Sequence, residues 1–242
     1  DFYGADDASE EMLFHTQVLP KDKSTAMTGL SKKFPPFVEA SVYTEEEVDK
    51  SGFHKWLWGE RYRKYYATKV KAPTVDLDTL FGGLKVVRKG GGNQSSSLRL
   101  EDEKGKQYVM RDLRKSAERY LQAMAFQDQY IIGQFEDTFT EELLLDLYTG
   151  AHPYAPFAMG KLSDAVGLYH TNPTLYYVPK QSVLGDFNSE FGDGLYMIEE
   201  HVSDEHDDLE SFGRTKKIES TYDLIDKLRE DENWRAIPCI GV

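Results

Sequence analysis

The sequence predicts an α+β fold: an antiparallel sheet of about five strands with a glycine-rich first turn, packed with several helices. Three observations carry that expectation. Residues 84–88, 97–101 and 107–113 are closely spaced β-type runs joined by turn residues, a meander pattern. Residues 174–178 (TLYYV) and 195–199 (LYMIE) add two runs rich in aromatic and β-branched side chains. Helices are signalled by the capping-box spacings Thr44-x-x-Glu47 and Thr138-x-x-Glu141.

Taken in order, residues 1–40 read as an extended arm, punctuated by LPKDKST and FPPF, with Phe34, Phe37 and Val38 able to hold it to the body. Residues 41–75 read as a helical segment. Thr44 caps its first helix, and residues 52–66 make an amphipathic stretch with Trp56, Leu57 and Tyr65 inward and Lys55, Arg61 and Lys64 in water. Residues 76–200 form the glycine-loop sheet and its helices. After the third strand, AERYLQAMAF reads as helical. Thr138 then opens a helix whose Leu143, Leu144, Leu147 and Tyr148 make one apolar stripe, with Asp146 off it and outward. Residues 160–168 suggest a short helix, and residues 185–194 a turn-rich loop. Residues 201–242 hold an acidic loop, a helix over about 220–231 and a tail.

Composition narrows the function classes. Forty per cent of the 242 residues are hydrophobic, so a packed core forms. The net charge of −13, from 42 acidic and 29 basic residues, repels polyanions and argues against nucleic acid as a partner. No apolar run approaches the roughly 18–20 residues that cross a bilayer, so direct membrane insertion by this segment is not expected. DFYGADDASE lacks the basic and apolar regions of a signal peptide, and a start at Asp1 is expected of an excised piece. The single Cys239 makes neither an intramolecular disulfide framework nor a multi-cysteine zinc site.

The candidate binding residues surround the first turn. Gly90, Gly91, Gly92, Asn93, Gln94, Ser95 and Ser96 follow the first strand. Glycines there let backbone N–H groups approach an anion without side-chain bulk. Arg111 adds a guanidinium inside an apolar strand, a cation suited to phosphate. The plainer reading is an ordinary three-stranded meander with one flexible turn, since P-loop spacing is absent. The aromatic and basic interleaving of residues 53–66 suits single-stranded nucleic acid or a sugar, set against the amphipathic helix above. Six histidines show no metal-protease spacing. His201, Asp204, His206 and Asp208 read as a solvated acidic loop, and His152 as a structural hydrogen bonder at a helix end. No GxSxG, Cys–His pair or dinucleotide fingerprint appears.

Six phrases in order, SGFHKWLWGERYRKYYATKV, GGLKVVRKGGGNQSSSLRLED, YVMRDLRK, AHPYAPFA, LYHTNPTLYYVPKQ and LGDFNSEFGDGLYMIEE, carry a resemblance. They resemble the central region of large outer-membrane-associated proteins of Gram-negative bacteria. Such proteins often combine a calcineurin-like metallophosphoesterase with a surface-antigen type β-barrel. The region is also similar to the N-terminal lobe of an atypical, spore-coat-like kinase. That likeness implies a phosphate or nucleotide ligand at residues 90–97, with Arg111 in YVMR at the phosphate-pairing lysine position and Glu141, Glu142 or Asp146 as its ion-pair partner. Arginine in place of lysine is a departure, and Lys115 is the alternative cation. A catalytic loop, metal-binding Asp and phosphoesterase metal motifs are not found in the sequence. ATP with Mg²⁺ is therefore implied only together with a second lobe. The resemblance implies a non-catalytic portion of a cell-envelope protein, periplasmic or outer-membrane associated, partnered by other domains of the same polypeptide. Two alternatives remain: a ligand-free docking domain beside a phosphoesterase and a barrel, or a fragment of an intact enzyme.

Overall fold

The computed structural model describes residues 33–90, 94–124, 131, 138–202 and 221–230. Most of the N-terminal arm, the acidic run after Val202 and the Cys239 tail lie outside the described residues.

A two-stranded ladder pairs β1 (Phe37–Ala40) with β2 (Val70–Pro73). Between them run α1 (Glu45–Val48), α2 (Gly52–Trp58) and α3 (Arg63–Ala67). The capping box at α1 forms as the spacing predicts. Thr44 Oγ1 accepts the Glu47 N–H at 3.3 Å, and the Glu47 carboxylate accepts the Thr44 N–H at 2.7 Å. The stretch over 52–66 is two helices rather than one, because Gly59 (φ 81°) and Arg61 (φ 52°) adopt left-handed backbone between them. Lys64 is exposed as expected and Lys55 and Arg61 are half-buried, but the side chains expected to face inward do not. Trp56, Leu57 and Tyr65 are exposed, whereas Arg63 and Tyr66 are buried.

The main sheet comprises β3 (Leu84–Gly90), β4 (Ser97–Asp102), β5 (Gln107–Asp112), β6 (Thr174–Val178) and β7 (Gly194–Glu200). All neighbours are antiparallel, in the order β3-β4-β5-β7-β6. Helices α4 (Ala117–Met124), α5 (Phe139–Tyr148) and α6 (Pro156–Val166) lie in the connection from β5 to β6. The predicted turn-rich loop before β7 contains a 3₁₀ turn (Ser182–Phe187) and α7 (Asn188–Phe191). A last helix, α8 (Thr221–Glu230), matches the predicted one.

Strand alternation gives the sheet two unlike faces. Leu98, Leu100, Met110, Tyr196 and Ile198 point into one core, closed over by Leu77, Leu184 and Phe191. Two buried amides tie that cover together. Gln181 Oε1 accepts the Leu77 N–H at 2.7 Å while its Nε2 donates to the Val75 and Pro179 carbonyls. Asn188 Oδ1 accepts the Gln181 N–H at 2.8 Å, and its Nδ2 donates to the Gln181 and Gly185 carbonyls. The opposite face buries Leu113, Leu195 and Met197 against Val42, Tyr43, Tyr66 and Ala72. The helical segment 41–75 and the sheet module 76–200 therefore share one core.

α5 is rotated from its predicted orientation. Leu147 is exposed, while Leu145 packs on the second core and Asp146 is 3% exposed. The reason is electrostatic. Arg63 donates from Nε and Nη2 to Asp146 at 2.5 and 2.8 Å, and His54 Nε2 lies 2.9 Å away. A bidentate partner 83 residues upstream thus overrides the local apolar stripe.

Candidate functional site

The glycine-rich turn joins β3 to β4. Its first residue lies close to the next strand: a Cβ on Gly90 would stand 2.2 Å from Ser97 Oγ, so a larger residue there would require the Ser97 hydroxyl to turn away. Gly91, Gly92 and Asn93 lie outside the described residues. The far end is tied to the segment that follows β5. The Gln94 carbonyl accepts the Ser116 N–H at 2.7 Å, and the Ser96 carbonyl accepts the Asp112 N–H at 2.9 Å. Ser95 is buried.

The Ser96 hydroxyl, predicted as a ligand, is already engaged. It donates to Glu190 at 2.9 Å, and the same carboxylate takes Lys89 Nζ at 2.6 Å and Arg119 Nη2 at 2.8 Å. Burial alone would raise the Glu190 carboxyl, but these donors outweigh it and hold the pKa below its ordinary value. Lys89 and Arg119 thus share one carboxylate within the chain.

Arg111 is on the other face. Ser97 pairs with it across β4–β5, and Met197 across β5–β7, so Gly90, Ser97 and Arg111 form one cross-strand row. The adjoining row pairs Arg88 with Arg99, and alternation puts Arg99 on the Arg111 face. Sequence reading singled out Arg111 alone. Arg99 reaches that face through the β4–β5 register, and Arg88 through a bulge between Val86 and Arg88 that shifts β3 by one residue and aligns it with Arg99.

These cations feel one another. Burial first, then Arg88 and Arg111, pull Arg99 down to about 10. Burial and the Arg111 charge likewise lower Lys115. Among the described residues, Arg88, Arg99, Arg111 and the Lys115 ammonium make no ion pair. Arg99 Nη1 and Arg111 Nε are buried N–H groups without an acceptor. Leaving such a donor unmatched costs about 1–3 kcal/mol, and among the described residues Arg61 Nε and the Thr74, Tyr148 and Tyr154 hydroxyls are buried without a hydrogen-bond partner as well.

The acids proposed as partners of Arg111 are placed elsewhere. Asp146 is held by Arg63 and His54. Burial would raise its carboxyl, and those hydrogen bonds keep it below the ordinary value instead. The Glu141 N–H is capped by Thr138 Oγ1 at 3.2 Å. Glu141 and Glu142 both line a cavity of about 790 Å³ with Tyr43, Glu47, Trp58 and Phe139. No residue of the glycine-rich turn or the arginine face lines that cavity, and its carboxylates would repel phosphate. Shape and charge therefore point to different places, and for an anion charge decides.

His152 Nδ1 accepts the Tyr154 N–H at 3.1 Å, the structural role its helix-end position predicts. Among the described residues there is no group of three or more His, Cys, Asp or Glu arranged to hold a metal ion, and no helix is long and apolar enough to cross a membrane. Of the acidic cluster at 201–208, Asp204, His206 and Asp208 lie outside the described residues. No protein-family model, curated protein or solved structure matches the chain, so its function is argued from these residues and their geometry.

Proposed function

We propose that this chain is a non-catalytic, phosphate-binding module of a multidomain bacterial envelope protein, built like the N-terminal lobe of an atypical kinase. The observation that carries the reading is the unpaired guanidinium face. Arg99 and Arg111 hold buried N–H donors with no acceptor, in line with Ser97 and the root of the glycine-rich turn. A planar guanidinium presents a fork of donors that matches phosphate oxygens, and a phosphate would supply the missing acceptors. The kinase-like part is supported by layout. The turn joins the first two strands, the cation sits on the third, helices follow, and the LYMIEE strand returns beside the third. The envelope setting rests on the resemblance of the six phrases.

Titration calorimetry with ATP and Mg²⁺ tests the reading on the full chain. Wild type is expected to release heat, and Arg111→Ala to bind about tenfold or more weakly, as loss of a charged hydrogen bond requires. Circular dichroism confirms that the variant is folded. Heat from neither protein would favour the ligand-free docking domain.

A further inference from the structure

The cavity that turns phosphate away has the lining to take the opposite charge. α1, α2, the turn between them and α5 border it, and its 790 Å³ falls within the roughly 300–1,000 Å³ of small-ligand sites. Six carboxylates line it (Glu46, Glu47, Asp49, Glu141, Glu142 and Asp146), against the cations Lys50 and Arg114. Three of the six are used within the chain: Glu47 by Arg114, Asp49 by Lys55, and Asp146 by Arg63 and His54. Glu46 and Glu142 are exposed and make no ion pair among the described residues. Lys50 is unpaired as well, and the balance of charge stays negative.

Acidic side chains alone would be a solvated patch. Here aromatic rings stand among them. Trp58 and Phe139 line the same cavity at 43 and 78% exposure, and a ring left open to a cavity offers its negative π-face to a cation. The chain itself shows what such walls hold. Arg114 Cζ lies 4.9 Å from the centroid of the Tyr43 ring, and its guanidinium forks onto both Glu47 oxygens. Tyr43 and Glu47 are cavity residues, so ring and carboxylate together already grip one guanidinium at this wall. Glu46, Glu142, Trp58 and Phe139 supply the same two components again. None of them is in ion-pair or cation–π contact among the described residues. A metal ion is the poorer fit, since no three His, Cys, Asp or Glu of the described residues converge to hold one. An ammonium is more strongly hydrated than a guanidinium and lacks the flat face that stacks on a ring.

We propose that this cavity is a binding site for a guanidinium group, free or on an arginine side chain, with Glu46 and Glu142 supplying the charge and Trp58 and Phe139 the ring faces. It uses no residue of the phosphate site, so the two stand or fall separately. Two-dimensional NMR of the full chain tests it with arginine amide, a tri-arginine peptide and citrulline amide, the uncharged isostere of the side chain. Arginine amide is expected to shift the Trp58 indole and Glu142 amide signals saturably, and citrulline amide to bind at least about tenfold more weakly. Glu46→Gln/Glu142→Gln, at exposed positions that leave the core intact, is expected to weaken arginine amide by at least about tenfold. Trp58→Leu/Phe139→Leu is expected to weaken it by about fivefold. Glu103→Gln/Asp186→Asn removes two exposed carboxylates that do not line the cavity and is expected to bind like wild type, as is Arg111→Ala. Tighter binding of the peptide through the same signals would place the guanidinium on a protein chain, and equal binding would make the free group sufficient; either result upholds the site. No saturable shift with arginine amide or the peptide, equal binding of citrulline amide, or affinity kept by either cavity variant would overturn the proposal. A loss in Glu103→Gln/Asp186→Asn as large as in Glu46→Gln/Glu142→Gln would also overturn it, assigning the contact to the acidity of the whole chain.

Discussion

The two faces of the five-stranded sheet treat buried polar groups in opposite ways. Under the first core, Gln181 and Asn188 are enclosed and their amides matched to backbone partners from three loop segments. On the other face, Arg99 Nη1 and Arg111 Nε are buried without an acceptor, and neither arginine makes an ion pair, among the described residues. Both arrangements cost desolvation. The amides recover that cost within the chain, and so does Arg63 beside the second core, through Asp146; Arg99 Nη1 and Arg111 Nε do not among the described residues. The fold matches its two buried amides and the Arg63 guanidinium, and leaves Arg99 Nη1 and Arg111 Nε without an acceptor among the described residues.

That contrast can be broken most severely at Asp146. Asp146→Ala would leave Arg63 buried and unpaired and is expected to cost about 4 kcal/mol in urea denaturation. The ion pair also has a pH signature. Because the folded pKa lies below the unfolded value, its contribution is complete above the ordinary carboxylate range and is lost as pH falls through the folded value. Wild-type stability should therefore drop on acidification more steeply than that of Asp146→Asn.

Gln181→Ala is the next largest test. It strands the Leu77 N–H and the Val75 and Pro179 carbonyls, and a loss of about 3 kcal/mol is expected in the same measurement. A loss below about 1 kcal/mol would mean that the amide staple is not what closes the first core.

Asp112 sharpens the comparison with the opposite sign. Burial pushes its carboxyl up to about 6, above the unfolded value, although the Arg114 N–H donates to it at 2.8 Å. The unfolded chain ionises first as pH rises, so stability falls between about pH 4 and pH 6 and levels off above. Asp112→Asn is expected to raise stability by about 2 kcal/mol at pH 7, with the gain gone near pH 4.

The smallest stability effect is expected on the arginine face. Arg111→Met removes an unsatisfied donor and should change stability by no more than about 1 kcal/mol, in the stabilising direction. The same substitution is expected to abolish the calorimetric heat with ATP and Mg²⁺. A large loss of stability instead would show that Arg111 has a structural partner.

Much of the fold was legible because it depends on neighbours in sequence. The β6 run over Thr174–Val178, the Thr44 capping box and the helix opened by Thr138 are local patterns, and they stand where the spacing puts them. The site was legible only in part. Arg111 in an apolar strand beside a glycine-rich turn is a sequence feature, whereas its neighbours Arg88 and Arg99 depend on strand register and on one bulge. The orientation of α2 and of Asp146 was misread because apolar periodicity shows that a helix has two sides without saying which one the protein covers.

By itself, then, the sequence determined the five strands of the main sheet and where α1 and α5 are capped, since these follow from steric and hydrogen-bonding preferences within a few residues. The β1–β2 ladder, read as an arm and a helical segment, was not legible. Tertiary structure alone decided which face of α2 is left bare, which acid answers Arg63 and which cations are left unanswered. Those outcomes hang on pairings between residues tens of positions apart, where burial and charge compete and the stronger contact sets the orientation of everything between.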